Sequence, residues 1–217
     1  MIPKLHYISQ GKTVEEHLTN INNACTSGIE LVQLRLKKFK EASILEAAEK
    51  AREITGRFQT RLIINDYYKI AKIVKADGVH LGQSDSCPSI ARKHLYSWQL
   101  VGGTANTLED CKTLLSKNVD YIGMGPFRFT LTKENLSPVL GLDGYTNILK
   151  NLDTETPIIA VGGITLDDVS DIMKTGVHGI AVSGAITTDF NRIGKFKQLI
   201  AGDEVQEKVW TPYQNNN

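Results

Sequence analysis

Long apolar runs, a charge imbalance and paired cysteines are all missing from this chain, and each absence removes a class of function. No stretch approaches the roughly 20 apolar residues that a bilayer-spanning helix needs, so no membrane partner is expected. With 25 basic against 24 acidic residues there is no global field to recruit nucleic acid, and any anion binding has to be local. Arg57 with Arg61, and the run Lys37, Lys38 and Lys40, therefore do not read as a nucleic-acid patch. Cys25, Cys87 and Cys111 lie far apart without C-x-x-C spacing, which argues against a disulfide framework or a zinc site and for reduced thiols. The opening Met1-Ile2-Pro3-Lys4 leads into a strand pattern without the apolar core of a signal peptide, so a cytoplasmic location is expected. The pairs Gly102-Gly103 and Gly162-Gly163 lack the third glycine of G-x-G-x-x-G, which argues against a dinucleotide-binding sheet.

What the chain does have is alternation. Short apolar runs at 5–8, 31–36, 61–64, 78–81, 99–102, 121–123, 157–161 and 179–182 read as strands. Amphipathic stretches at 14–26, 40–54, 68–75, 88–95, 108–116, 144–149, 166–174 and 191–200 read as helices. Thr13 with Glu16 predicts a capping box for the first helix, and Gly56 is expected to close the second. Period-2 alternation is weak in the strands, as expected for a parallel sheet covered on both faces. Eight strand-then-helix units without a break in composition predict an α/β fold, a single (β/α)8 TIM barrel over residues 1–201. The polar, aperiodic tail 202–217 is expected to be flexible.

In such a barrel, functional groups gather at the C-terminal ends of the strands. After strand two, Gln33, Arg35 and Lys37 alternate onto one face, where two cations side by side call for an anion between them. Strand three ends in Asn65-Asp66, and strand four ends in His80-Leu81-Gly82-Gln83-Ser84-Asp85. Two carboxylates at adjacent strand ends suit Mg²⁺, which takes one or two protein carboxylates together with substrate phosphates. A helix N-cap for Asp66 and a turn role for Asp85 are the alternative readings. His80, inside an apolar strand, reads as a hydrogen-bonded core residue rather than a base. The segment Tyr121 to Lys133 breaks an apolar run with Gly123, Gly125 and Pro126, then presents Thr130, Thr132 and Lys133 as anion donors. Turns at Gly162-Gly163 and Ser183-Gly184 follow strands seven and eight, a common barrel phosphate site.

Together these motifs resemble the thiamine-phosphate synthase family, from Leu5 to about Ile186. The chain carries Q-x-R-x-K as Gln33, Arg35 and Lys37, the Asn65-Asp66 pair, H-x-G-Q-x-D as His80 to Asp85, and a version of G-P-x-x-x-T-x-T-K at 125–133. The resemblance implies a transferase of thiamine biosynthesis that joins an aminopyrimidine-methyl diphosphate to hydroxyethylthiazole phosphate and releases pyrophosphate. It implies that Gln33, Arg35, Lys37, Asn65 and Lys133 hold the pyrimidine diphosphate, and that Asp66 and Asp85 hold one Mg²⁺ per active site. Thr130, Thr132, Gly163, Ser183 and Gly184 would hold the thiazole phosphate, and Thr104 stands where the family has a serine near the reacting pyrimidine. Arg35, Lys37, Thr104 and Lys133 would be catalytic. Two departures stand out: Ser183-Gly184 where the family reads valine-serine, and Arg128-Phe129 in place of an aromatic-proline pair. Arg128 either adds a cation to the mouth or faces solvent. A thiazole tautomerase of the same fold and a non-catalytic phosphate-ligand sensor are the rival functions. The tautomerase relies on a histidine where this chain has Asn106. Partners are the two small substrates, and a homo-oligomer is compatible with the sequence.

Overall fold

The computed structural model describes residues 1–129 and 138–202. Its elements follow one another as β1 (Leu5–Ile8), α1 (Val14–Thr26), β2 (Leu31–Leu34), α2 (Glu41–Arg57), β3 (Arg61–Asn65), α3 (Tyr68–Ile73), β4 (Gly78–Leu81) and α4 (Pro88–His94). They continue as β5 (Leu100–Ala105), α5 (Leu108–Leu115), β6 (Tyr121–Met124), α6 (Gly141–Lys150), β7 (Ile158–Val161), α7 (Val169–Lys174), β8 (Gly179–Val182), α8 (Gly184–Thr187) and α9 (Arg192–Ala201). A 3₁₀ turn, Leu166–Asp168, leads into α7. Each strand pairs in parallel with the next, and β8 returns to β1, so the sheet closes into a (β/α)8 barrel.

Alternation along the strands divides the apolar residues between two cores. Tyr7, Val32, Leu34, Leu62, Ile64, Val79, Val101, Ile122, Ala160 and Ile180 pack in the large cluster with helix residues such as Ile21, Ala48, Tyr145 and Phe196. The second cluster is small: Ile2, Tyr121, Ile159 and Ala181, with Ile8, Leu100 and Val161 against them. The intervening strand positions in neither cluster include buried Leu31 and Ile63, glycines, and the polar His6, Gln33, Asn65, His80 and Thr104. A small apolar plug with polar groups beyond it is how this barrel leaves room for chemistry at one end.

Local signals explain most boundaries. Thr13 caps α1, accepting from Glu16 N at 3.2 Å, but the Glu16 carboxylate accepts from Lys12 N rather than completing a box at Thr13. Full reciprocal boxes are at Thr107 and Asp110, opening α5, and at Thr165 and Asp168, opening the 3₁₀ turn. Gly56 does not close α2: the helix runs on to Arg57, and the left-handed residue is Gln59, at φ 55°. The β2 ladder stops at Leu34, earlier than expected, because the Arg35 N–H turns to Ser9 Oγ at 3.1 Å. The short helix α8, directly after β8, has no counterpart in the expected elements. Of the polar tail, residues 203–217 lie outside the described residues.

His6 gives the fold a pH dependence. Burial pushes its pKa down from 6.5 to about 3, against a hydrogen bond between Nε2 and Pro3 O at 2.9 Å, with His80 and His178 adding repulsion. The unfolded chain binds a proton below pH 6.5 that the native chain refuses, so this site costs about 1.4 kcal/mol per pH unit as pH falls from 6.5 toward 3. Denaturant melts at pH 7.5 and pH 5 are expected to show a smaller loss in His6→Gln than in the parent, by about 2 kcal/mol. Identical losses would place the acid sensitivity elsewhere.

Candidate active site

Three strand ends bring charge together on one side of the mouth. Asp66 follows β3 in the left-handed region, at φ 68°, a conformation that Asp tolerates better than most residues. Its N–H donates to His80 O at 2.8 Å, which ties the end of β3 to β4. The N-cap of α3 is Tyr67, without a side-chain cap bond, so Asp66 is not spent on capping. Instead its carboxylate pairs with Lys37 Nζ. Asp85 closes a turn by accepting from Gly82 N at 2.7 Å through Oδ2, so the turn reading holds alongside any other role.

The two carboxylates interact directly. Burial, then the hydrogen bond with Asp85, raises the Asp66 pKa to about 6, with Lys37 opposing. Burial also works against ionisation of Asp85, but hydrogen bonds from Asp66 and Gly82 outweigh it and hold Asp85 below the usual carboxylate range. Half-buried Arg35 faces both: burial lowers its pKa, and the attraction of Asp66 and Asp85 pushes back. Nearby, the buried Asn65 Nδ2 has no hydrogen-bond partner among the described residues. The result is a compact set of two anions, two cations and an unspent donor. Among the described residues no group of three or more His, Cys, Asp or Glu could hold a metal, so a cation here would need oxygens from a ligand as well as Asp66 and Asp85.

Thr104, on β5, lies beside this set. Its Oγ1 is 2.9 Å from His80 Nε2, and His80 Nδ1 is 3.2 Å from the Tyr121 hydroxyl. Asn106, two residues on, is buried and gives its Nδ2 to Gly125 O. A cavity of about 440 Å³ opens between Asp85, Thr104, Asp110 and Lys117. A larger one, about 610 Å³, lies at the opposite end of the barrel around residues 154–158 and 174–178, away from all of these groups. Barrel chemistry sits at C-terminal strand ends, so the smaller cavity is the relevant one.

Across the mouth, the turn after β7 is built from backbone. Gly162 and Gly163 have φ of 103° and 71°, and a Cβ on Gly163 would press on Arg128 Cβ at 3.0 Å. Arg128 neither enters the mouth nor faces solvent alone. Its guanidinium grips both Asp168 oxygens, at 2.7 and 3.0 Å, and donates to Gly163 O at 3.0 Å. After β8, Ser183 Oγ approaches Gln10 Oε1 at 3.4 Å, and Gly184 starts α8. A side chain at Gly184 would meet only Gln10 Oε1, at 3.6 Å, so there is space for the serine that the motif usually carries. Thr130, Thr132 and Lys133 lie outside the described residues.

Sequence reasoning missed the Tyr121 to Thr104 connection and the Arg128–Asp168 pair. Gly102 and Gly123 carried a signal for the first, because in register they face Tyr121 and Thr104.

A closed parallel barrel with polar and charged groups gathered at the C-terminal ends of its strands is the architecture of a (β/α)8-barrel enzyme. Residues 5–186 match the family described as thiamine monophosphate synthase, and the chain belongs to that family. It is 46% identical over 202 residues to the thiamine-phosphate synthase of Flavobacterium psychrophilum, covering 92% of this chain and 98% of that protein. It is 47% identical over 190 residues to that of Flavobacterium johnsoniae, covering 86% of this chain and 90% of the relative. A solved structure, the thiamine phosphate pyrophosphorylase of Pyrococcus furiosus, superposes with a TM-score of 0.79 at 26% identity, covering 91% of this chain and 95% of its own.

Proposed function

We propose that this chain condenses 4-amino-2-methyl-5-(diphosphomethyl)pyrimidine with hydroxyethylthiazole phosphate to give thiamine phosphate and pyrophosphate. The observation that carries this reading is the cluster of Arg35, Lys37, Asp66 and Asp85 at neighbouring strand ends. A lone phosphate does not need two cations and two carboxylates, whereas a departing diphosphate with a divalent counter-ion does. The donor set fits Mg²⁺: two hard carboxylate oxygens on adjacent strands, with coordination left for phosphate oxygens and water. When bound at Asp66 and Asp85, Mg²⁺ supplies charge neutralisation for the diphosphate.

The chain's own residues do the rest. Arg35 and Lys37 balance the leaving group, and Lys133 joins them by its place in the family motif. Gln33 and the Asn65 amide, whose Nδ2 has no partner among the described residues, orient the pyrimidine end. The amino-substituted pyrimidine delocalises positive charge at its exocyclic CH₂, so diphosphate leaves first and the thiazole nitrogen then attacks. Gly163, Ser183 and Gly184 offer backbone N–H groups to the thiazole phosphate, with Thr130 and Thr132 as hydroxyl donors. Holding both reactants in line converts an encounter in solution into a local step.

The test is a steady-state assay with both substrates and Mg²⁺, reading pyrophosphate and thiamine phosphate together. Stoichiometric release is expected, and Lys133→Ala should lower kcat on the order of 10²-fold. Thiazole tautomer exchange without condensation would sink the proposal in favour of the tautomerase, and binding without turnover in favour of a sensor.

A further inference from the structure

Below Thr104 the barrel holds a chain of polar groups that the condensation as written leaves unused. Tyr121 is only 2% exposed, its ring stacks on His80 at 5.6 Å and 28°, and its hydroxyl meets His80 Nδ1. Two strands make room for this stack by carrying no side chain. A Cβ at Gly102 would fall 2.2 Å from Tyr121 Cζ, and one at Gly123 would fall 3.0 Å from His80 Cε1.

The direction of these hydrogen bonds follows from counting protons. A neutral imidazole has one N–H donor and one acceptor nitrogen. The Tyr121 hydroxyl has no other partner among the described residues, and burial raises its pKa, so it keeps a proton that needs an acceptor. Donation to His80 Nδ1 meets that need, while the reverse direction strands a buried O–H. His80 is thereby fixed as the Nε2–H tautomer, and Nε2–H donates to Thr104 Oγ1. The hydroxyl hydrogen of Thr104 is then the one left over.

We infer that Tyr121 and His80 are positioning residues that make Thr104 a hydrogen-bond donor to the oxygen leaving the pyrimidine's exocyclic carbon. The inference rests on the condensation proposed above. As the C–O bond breaks, its electron pair stays on the diphosphate oxygen, and Thr104 donates a hydrogen bond to that oxygen while keeping its proton. An acceptor at the same place would instead repel the growing negative charge.

The experiment is a double-mutant cycle on the full chain with saturating substrates. Tyr121→Phe keeps the ring and its stack, so the barrel should fold, and kcat should fall about fivefold with little change in either KM. Thr104→Val should lower kcat about 30-fold, and Thr104→Ser should keep most of the rate. In the Thr104→Val background, Tyr121→Phe should cost nothing further. Nitrogen-15 NMR of His80 should show the neutral Nε2–H tautomer in the parent and lose that preference in Tyr121→Phe. Equal losses in both backgrounds, an Nδ1–H tautomer in the parent, or full kcat in folded Tyr121→Phe would overturn the inference. Failure of the condensation itself looks different: the parent protein would release no pyrophosphate, whatever the state of His80.

Discussion

Asparagine at position 66 is expected to slow pyrophosphate release on the order of 10²- to 10³-fold while leaving the barrel folded. Asp66 is one of two carboxylates at the mouth and the partner of Lys37, so removing its charge takes an oxygen donor from the proposed Mg²⁺ site and frees a lysine together. Asparagine preserves the shape and, at φ 68°, the left-handed backbone that few other side chains accept. Alanine at the same place would combine the loss of charge with backbone strain of about 1–2 kcal/mol. Thermal melts beside the kinetics separate the two effects: Asp66→Asn should melt near the parent and Asp66→Ala below it. Wild-type turnover in the asparagine variant would remove Asp66 from the chemistry.

The second large effect belongs to Arg35. Attraction to Asp66 and Asp85 acts on its guanidinium, and without it two partly buried carboxylates keep Lys37 as a basic side-chain partner among the described residues. Arg35→Gln should raise the KM for the pyrimidine diphosphate and lower kcat, for a combined loss in kcat/KM on the order of 10³-fold. The KM for the thiazole phosphate should barely move, because that ligand is assigned to turns after β7 and β8. Stability should report the same charges. The Asp66 pKa is raised to about 6, so above that pH the carboxylate is ionised and needs Arg35; below it, protonation relieves the need. The stability lost in Arg35→Gln is therefore expected to be larger at pH 8 than at pH 5, by denaturant melts. An equal rise in both KM values would argue for a general distortion of the mouth instead.

The barrel was legible because eight apolar runs, each followed by an amphipathic stretch, repeat one physical unit, and a closed parallel sheet is the way to bury both faces of all eight. Boundaries were less legible where a side chain competes with the ladder. β2 ends at Leu34 because Ser9 Oγ captures the Arg35 N–H, a bond between residues far apart in sequence. Gly56 looked like a helix stop, but a helix can carry a glycine to its last turn, and here the reversal waits for Gln59. In the site, Arg35, Lys37, Asp66 and Asp85 could be read from charge at strand ends. His80 could be read as a hydrogen-bonded strand residue, but its partners Tyr121 and Thr104 could not, since only the register of β4, β5 and β6 brings a phenol, an imidazole and a hydroxyl into one line. Arg128 was undecidable for the same reason: its partner, Asp168, is forty residues away.

That pairing has a mechanical meaning. With Arg128 gripping Asp168 and Gly163 O, the chain leaving β6 and the turn leaving β7 behave as one lever rather than two loops. Asp168 also accepts from the backbone and hydroxyl of Thr165, so the fulcrum is the start of the 3₁₀ turn. One end of the mouth is thus held together by charge between strand tips, Lys37 to Asp66 and Asp66 to Asp85, while the other is two loops clamped by one arginine. Loss of the Asp168 carboxylate would release Arg128 and Thr165 together, and with them both loops.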